Sequence, residues 1–349
     1  MYGRDDQDPP CVPVPRRKTN LDTLWATTLA AEDASAYDQF ELEAPSGHFA
    51  QTRAWAPVAA RSRPSHVRYF VARDAGRIVG TALVLRAAAG PLPLPFATID
   101  RGPVCREPAD VPRVLEALRS AARRRGIVRL TAMPYWTGGD ATLVGRALSA
   151  AGYRDVQRAD GAHATSLRLD LREDPQALLA GGDRAQLRRL RREASRAGAT
   201  VRPGGRADLE VHRRMVRERF QAGRQAGRDR STAWYDALWS AMLAGAQRGG
   251  LFVCEHEGAP VGTVVALRHG PLATYAYGAT SDGPAPFSKS VLPLVAAIEW
   301  ARALGCAQFD LGGVPQANDT DPKRAHIAEY KGHFSKTRVD LVREHSCWF

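Results

Sequence analysis

Lysine is scarce in this chain. Of its 349 residues 49 are basic, and only Lys18, Lys289, Lys323, Lys331 and Lys336 are lysines. The remaining 44 are arginine, a bias that a GC-rich genome produces on its own. Cysteine is also sparse. Cys11, Cys105, Cys254, Cys306 and Cys347 show no CxxC or histidine-linked spacing. That pattern argues against a zinc centre and a disulfide framework, and it suits a reducing, cytoplasmic setting. No apolar run approaches the roughly 18 residues of a membrane helix, so no membrane span is expected. Residues 1–20, MYGRDDQDPPCVPVPRRKTN, lack an apolar centre. They read as a disordered tail and not as a signal peptide.

What remains is ordinary globular composition, 44% hydrophobic and 25% charged, in a length that suits two domains. The chain says so more directly through an internal repeat. Tyr69 to Arg86 reads YFVARDAGRIVGTALVLR, and Leu251 to Arg268 reads LFVCEHEGAPVGTVVALR. The two align without a gap and share eight of eighteen residues: Phe70/Phe252, Val71/Val253, Gly76/Gly258, Val79/Val261, Gly80/Gly262, Thr81/Thr263, Leu85/Leu267 and Arg86/Arg268. Each copy is an apolar run, a polar turn closing on Gly and a second apolar run, which predicts a β-hairpin. An amphipathic helix follows in each half, over 114–125 and 291–304. Each ends at a glycine (Gly126, Gly305) and leads into a strand over 127–130 or 306–311. One domain fold is used twice.

Other elements follow from pattern. Residues 21–40 read as a strand and then a helix, and 51–58 as a turn into a helix with Trp55 inward. Residues 97–99 form a strand running into Asp100-Arg101-Gly102-Pro103. Residues 141–151 form a helix capped by Gly152, and the TSLRLDL stretch over 165–171 alternates as a strand. Asp183 suits a helix N-cap and Gly198 a C-cap, with Leu187, Leu190 and Ala194 on one stripe between them. A second basic helix spans 209–222. A third, over 232–247, carries Trp234, Tyr235, Leu238, Trp239 and Met242 at core spacing. The expected division is a tail over 1–20, a first domain over 21–170, a second over 171–335, and 336–349 returning to the first. The returning strand is expected over 338–342, and the seam at Gly181-Gly182.

Charge is concentrated. Between Arg184 and Arg230 stand fifteen arginines and five acids, a net ten positive charges of the chain's twelve. Such a stripe is the footprint of a polyphosphate or nucleic-acid partner.

Several short motifs, in order along about 300 residues, resemble the FemABX family. Gln51 and Trp55 resemble its Gln-x-x-x-Trp, and Arg101-Gly102-Pro103-Val104 its RGPV loop. Residues 188–198 resemble the Arg-rich helix that opens its second domain. Tyr275-Ala276-Tyr277-Gly278-Ala279 resembles a Tyr-x-Tyr-Gly strand. Phe309 to Gly313 and Glu329 to Phe334 resemble the closing DLGG and FK-x-x-F motifs, with Tyr330 in place of the phenylalanine. The resemblance implies an α/β fold with mixed sheets and two tandem acetyltransferase-like (GNAT-like) domains. No heptad insertion follows the Arg-rich helix, so no coiled-coil arm is expected. The lysine often found after the Gln-x-x-x-Trp is replaced by Ala56, Val58 and Ala59, which weakens the expectation of a sugar-nucleotide head group.

The implied reaction is aminolysis. An amine of a peptide or small-molecule acceptor attacks the ester that joins an amino acid, small in this family, to tRNA. The ester is already activated, so neither metal nor a cofactor beyond the aminoacyl-tRNA co-substrate is called for. Orientation and oxyanion stabilisation are what the protein must supply. Lys331 is the candidate for that charge, since a lysine kept in an arginine-rich chain suits a need for a compact point charge. Tyr275 and Tyr277, taken to share a strand face, Arg101, Arg219, Arg224 and Tyr330 are candidates for substrate binding. Arg184, Arg188, Arg191, Arg192 and Arg196 are candidates for tRNA. Asp310 can be read as a general base, or as the end of a strand before a turn. The acceptor is a peptide natural product, such as a peptidyl nucleoside antibiotic, or a peptidoglycan precursor, and the protein is expected to act as a monomer. Two other classes compete: an acetyl-CoA-dependent N-acetyltransferase and a non-enzymatic RNA-binding protein. The first needs a glycine-rich phosphate loop opening a helix. Residues 281–286 (SDGPAP) instead place two prolines there.

Overall fold

The computed structural model describes residues 21–156, 164–173, 184–222, 230–315 and 322–349. The tail over 1–20, the Gly181-Gly182 seam, the Asp183 cap and Arg224 lie outside the described residues, and so does the side chain of Arg184.

Two mixed sheets carry the repeat. The first is ordered β1 (Asp22–Ala26), β2 (Ser65–Asp74), β3 (Arg77–Ala89), β4 (Leu92–Ile99), β6 (Arg129–Ala132), β15 (His345–Trp348) and β7 (Arg154–Asp155), with β5 (Val104–Cys105) on β3. The second runs β9 (Thr200–Pro203), β10 (Gly249–His256), β11 (Ala259–His269), β12 (Leu272–Thr280), β13 (Gln308–Gly313), β8 (Thr165–Asp170) and β14 (Arg338–Asp340). Strand for strand the orders correspond. Both contain one parallel pair, β4 with β6 and β12 with β13, after which the paired strands part.

The predicted hairpins hold to single residues. Each turn places two successive residues at positive φ, Ala75-Gly76 and Glu257-Gly258, as a tight two-residue hairpin turn requires. Each second strand carries a bulge at the same place, Val79 opposite Ala72 and Arg73 in one copy and Val261 opposite Cys254 and Glu255 in the other. The shared glycine beside it is needed for close approach. A Cβ on Gly80 would meet the Val114 methyls at 2.6 Å, and one on Gly262 the Lys289 carbonyl at 2.1 Å. The shared threonines are buried and held by a titratable group from the preceding helix. Glu41 of α1 (Ala31–Glu43) accepts from Thr81. His212 of α6 (Arg206–Ala222) bonds Thr263 through Nδ1 at 2.8 Å.

Helices cover the outer faces. In the first half, α3 (Val111–Arg123) and α4 (Gly138–Ala150) bury Val114, Leu115, Leu118, Val144 and Leu148 against Phe70, Val84, Ile99 and Leu130. In the second, α5 (Arg184–Arg196) turns Leu187 and Leu190 inward, and α8 (Val291–Ala303) packs Leu294 and Ile298 on Phe252, Val264 and Phe309. A third core lies between the halves. Phe49, Trp55, Val58, Leu83 and Leu85 meet Trp234, Tyr235, Leu238, Leu251, Val265 and Leu267 there. The short α2 (Ala56–Ala59) and α7 (Thr232–Leu238) belong to this seam. The predicted helix over 232–247 gives way at Trp239 to a π-turn ending at Leu243, while its aromatic residues form core as expected.

The strand assignments near the domain boundaries need correction. β8, expected to end the first domain, lies in the second sheet, where Phe309 pairs with Leu169. Residues 338–340, expected to return to the first domain, pair with β8 instead. The returning strand is β15, between β6 and β7. Each sheet thus takes its sixth-position strand from chain that follows the other domain: β8 fills in the second sheet the place β15 fills in the first. Hairpin pattern alone could not reveal this, because a short strand carries the same alternation in either sheet.

Candidate active site

The family-like motifs converge where the two halves meet. Gln51 is the fastener. Its side-chain oxygen accepts from the Leu83 N–H at 2.7 Å, its amide donates to the Asp100 carbonyl at 2.5 Å, and its own carbonyl receives the Tyr37 hydroxyl at 2.8 Å. This ties the loop after β4 to the sheet and sets Arg101 in the left-handed region at φ 61°.

Arg101 lies over the ring of Tyr135, 5.3 Å from its centre, and Arg168 of β8 lies at the same distance. His48 stacks on Tyr135 at 4.5 Å. Burial, and then the nearby Arg101, push the His48 imidazole well below its ordinary range, so it is neutral at pH 7. One guanidinium nitrogen of Arg101, Nη1, is buried without a hydrogen-bond partner.

Asp310 on β13 is the centre of the network and 3% exposed. It accepts from the Tyr135 hydroxyl at 2.7 Å, the Gly312 N–H at 2.7 Å, Arg168 Nε at 3.3 Å and the Ser166 hydroxyl. Arg168 also donates to the Tyr135 oxygen at 2.7 Å and to Gln308 at 3.2 Å. A carboxylate so fully committed holds its neighbours in place. Residues 308–313 form the strand expected from DLGG, and Gly312 supplies the positive φ that turns its N–H back onto Asp310. A polar cleft of about 580 Å³ opens beside Arg168, lined also by Thr137, Gln308, Arg338 and Asp340.

Lys331, near the end of α9 (Pro322–Gly332), is 8% exposed. Its ammonium donates to the Gly313 carbonyl at 2.8 Å and stands 6.0 Å from the ring centre of Tyr275, where β12 and β13 part. Burial lowers it from 10.5 to about 8, against the opposing pull of Asp310. Tyr330 packs edge-on to Phe334, its hydroxyl pushed up by burial.

Tyr275 and Tyr277 do not share a face. A bulge at Ala276 lets Val265 pair with Tyr277 and Ala266 with Tyr275. Tyr275 joins the second domain's core beside Lys331, while Tyr277 meets Trp234 at 5.3 Å in the seam. Burial raises Tyr277 to about 12. Period-two reading missed this because a bulge restarts the alternation. Arg219 is exposed on α6. On α5, Arg188, Arg192 and Arg196 are exposed and Arg191 half-buried, so the predicted basic face forms. Tyr135, Arg168, His48 and Ser166 were not anticipated. The only signal was that Ser166, Arg168 and Asp170 alternate with Leu167, Leu169 and Leu171, a polar strand face that has to meet something polar.

The loop where an acetyltransferase would bind pyrophosphate is built differently. Lys289 donates to the carbonyls of Ser281 at 2.9 Å, Asp282 at 3.4 Å and Gly283 at 2.8 Å. Carbonyls converge on a cation there, where a phosphate loop aims N–H groups at an anion.

Doubled GNAT sheets sharing a seam define a tandem-GNAT transferase. Residues 33–157 match the FemAB family, and residues 182–331 match an acetyltransferase (GNAT) domain. The UDP-N-acetylmuramoylpentapeptide-lysine N(6)-alanyltransferase of Weissella viridescens is 26% identical over 303 residues, covering 82% of this chain and 85% of that one. A crystal structure of FemX superposes with a TM-score of 0.76 at 15% identity, over 94% of this chain and 97% of that chain. A tandem GNAT protein from the clavulanic acid biosynthesis pathway gives 0.56 at 18% identity, over 94% and 98%. Over most of its length the chain is thus similar to Fem-type aminoacyltransferases, with the FemAB match itself lying in residues 33–157. Among the described residues no helix is long and apolar enough to cross a membrane.

Proposed function

We propose that the protein transfers a small amino acid from aminoacyl-tRNA to an amine on the stem peptide of a UDP-N-acetylmuramoyl precursor. The observation that carries this reading is Lys331, a buried ammonium fixed where β12 and β13 part. That gap, beyond the last paired residues Thr274 and Asp310, is where an acyl donor can lie between the strand edges. As the amine attacks the ester carbonyl, charge builds on the carbonyl oxygen. Lys331 stabilises it, and low local dielectric strengthens the effect. The ester's ribose hydroxyl leaves, and the amine's proton passes to it or to water. Asp310 is a positioning residue that holds Tyr135, Arg168 and the Gly312 turn. The exposed arginines of α5 support docking of the tRNA.

The relative from Weissella viridescens favours a peptidoglycan precursor as acceptor. The burial of Ala56, Val58 and Ala59 in the seam leaves α2 without a charge for a sugar nucleotide, which keeps a peptide natural product as the second acceptor to try. The Lys289-filled loop favours an aminoacyl ester over acetyl-CoA. The test is incubation with tRNA charged in turn with each amino acid and with both acceptor types, read by mass spectrometry. An aminoacyl mass gain that ribonuclease abolishes supports the reading. Acetyl transfer from acetyl-CoA with no aminoacyl product overturns it.

A further inference from the structure

One end of the first domain is both greasy and basic. Seven large hydrophobic side chains stand exposed among the described residues, and four gather here: Leu92 at 68%, Phe96 at 41%, Val128 at 38% and Trp348 at 65%. The register explains the grouping. Leu92, Leu94 and Phe96 follow one another along the outer end of β4, where its pairing with β3 shifts register and leaves 94–96 opposite Ala87. Phe96 pairs with Arg129 on β6, and Arg129 pairs with Trp348 on β15. The Arg129 guanidinium lies 5.4 Å from the Trp348 ring centre, and the Phe96 and Trp348 rings meet edge-on at 6.3 Å.

Charge at this end has one sign. Residues 86–99, 120–131 and 345–349 contain Arg86, Arg123, Arg124, Arg125 and Arg129 and no acid. The β3–β4 hairpin tip from Ala87 to Ile99 has no charge at all. Elsewhere guanidiniums pair with carboxylates, as Arg53 does with Asp38, Arg73 with Asp33 and Arg202 with Asp208. Among the described residues none of these five arginines forms an ion pair. Arg123, Arg124 and Arg125 are exposed where α3 ends.

We infer that this end is a peripheral docking surface for an anionic lipid bilayer. Leu92, Phe96 and Trp348 enter the headgroup boundary, and Arg123, Arg124, Arg125 and Arg129 meet lipid phosphates. Exposed apolar groups ringed by cations are what an interfacial protein presents. RNA fits less well. Bases stack on aromatic faces set in series, whereas these two rings pack edge to face with each other, and Leu92, Leu94 and Val128 offer neither a stacking face nor a hydrogen bond. β4 and β6 run from this surface toward Arg101 and Tyr135. Docking therefore holds the candidate active site above the bilayer, open to the aqueous side.

Co-sedimentation of the full chain with vesicles of phosphatidylcholine, with or without 30% phosphatidylglycerol, tests this. The wild type should pellet with the anionic vesicles and release in 0.5 M salt. Replacing Arg123, Arg124 and Arg125 together with Gln should weaken binding on the order of a hundredfold, at roughly fivefold per arginine. Leu92→Gln, at the exposed first residue of β4, should weaken binding as well, and Trp348→Ser with Phe96→Ser should abolish it. Leu42→Gln, exposed elsewhere, should change nothing. Absence of wild-type binding overturns the inference. So does vesicle binding that survives all the patch variants. If those variants weaken tRNA retention on filters and leave vesicle binding intact, the surface belongs to RNA.

Discussion

Tyr135 of the first domain donates its phenolic proton to Asp310 of the second at 2.7 Å, and Arg168 closes the triangle on both. Tyr135→Phe removes one charge-assisted bond and should cost about 1.5–3 kcal/mol in denaturant unfolding. Asp310→Ala strands the Arg168 guanidinium in a buried site and should cost more, about 3–5 kcal/mol. If the network serves positioning, Tyr135→Phe should lower turnover with little effect on tRNA affinity.

Lys331→Ala should cut turnover roughly 10²- to 10³-fold, about 3–4 kcal/mol of barrier, and leave tRNA affinity almost unchanged. Lys331→Arg should rescue only in part, since a planar fork carries its charge elsewhere. If Lys331 only holds a substrate phosphate, the loss should fall on the acceptor KM, and single-turnover rates at saturating acceptor separate the two. Because the ammonium titrates at about 8, the wild-type rate should fall as pH rises through that value. Its stability effect has the opposite sign. The unfolded chain binds the extra proton between about pH 8 and 10.5, so this group makes folding more favourable as pH rises across that window.

His212 is buried and lowered from 6.5 to about 4, so the folded protein keeps it neutral where the unfolded chain protonates it. Stability from this group is complete above pH 6.5 and is lost as pH falls toward 4. The loss is on the order of 3 kcal/mol. His212→Asn should flatten that part of the stability curve in chemical denaturation at successive pH values.

Binding of charged tRNA should weaken with salt. For Z contacted phosphates, log affinity should fall against log salt at a slope on the order of −0.7Z to −0.9Z. Replacing Arg188, Arg191 and Arg192 together with Gln should flatten the slope in filter binding. An unchanged slope would move the RNA surface off α5.

Acetyl-CoA should show no micromolar binding by calorimetry. Lys289→Ala, which empties the carbonyl nest at Ser281 to Gly283, should not create it, because the loop still lines the gap with carbonyl oxygens that repel a phosphate.

The sequence carried the hairpins because their turn glycines, bulges and close approaches recur at the same spacing in both copies, and local chemistry fixes all three. It carried Lys331 because one rare residue stood in a motif. It did not carry Tyr135 or Arg168. Tyr135 reaches Asp310 across the seam and Arg168 reaches it from the neighbouring strand β8, each more than 140 residues away along the chain, and no local pattern encodes such a meeting. Nor did it carry the opposite facing of Tyr275 and Tyr277, which depends on a single unpaired residue.

The crossed placement of β8 and β15 has a consequence for synthesis. When the first half has left the ribosome, its sheet still has a gap between β6 and β7, and it stays open until Trp348 emerges. A fragment ending near residue 160 would expose that slot to any stray strand. The chain is therefore committed to finishing both halves before either is whole, and cutting the gene between the domains should yield aggregates where two soluble modules would otherwise be expected.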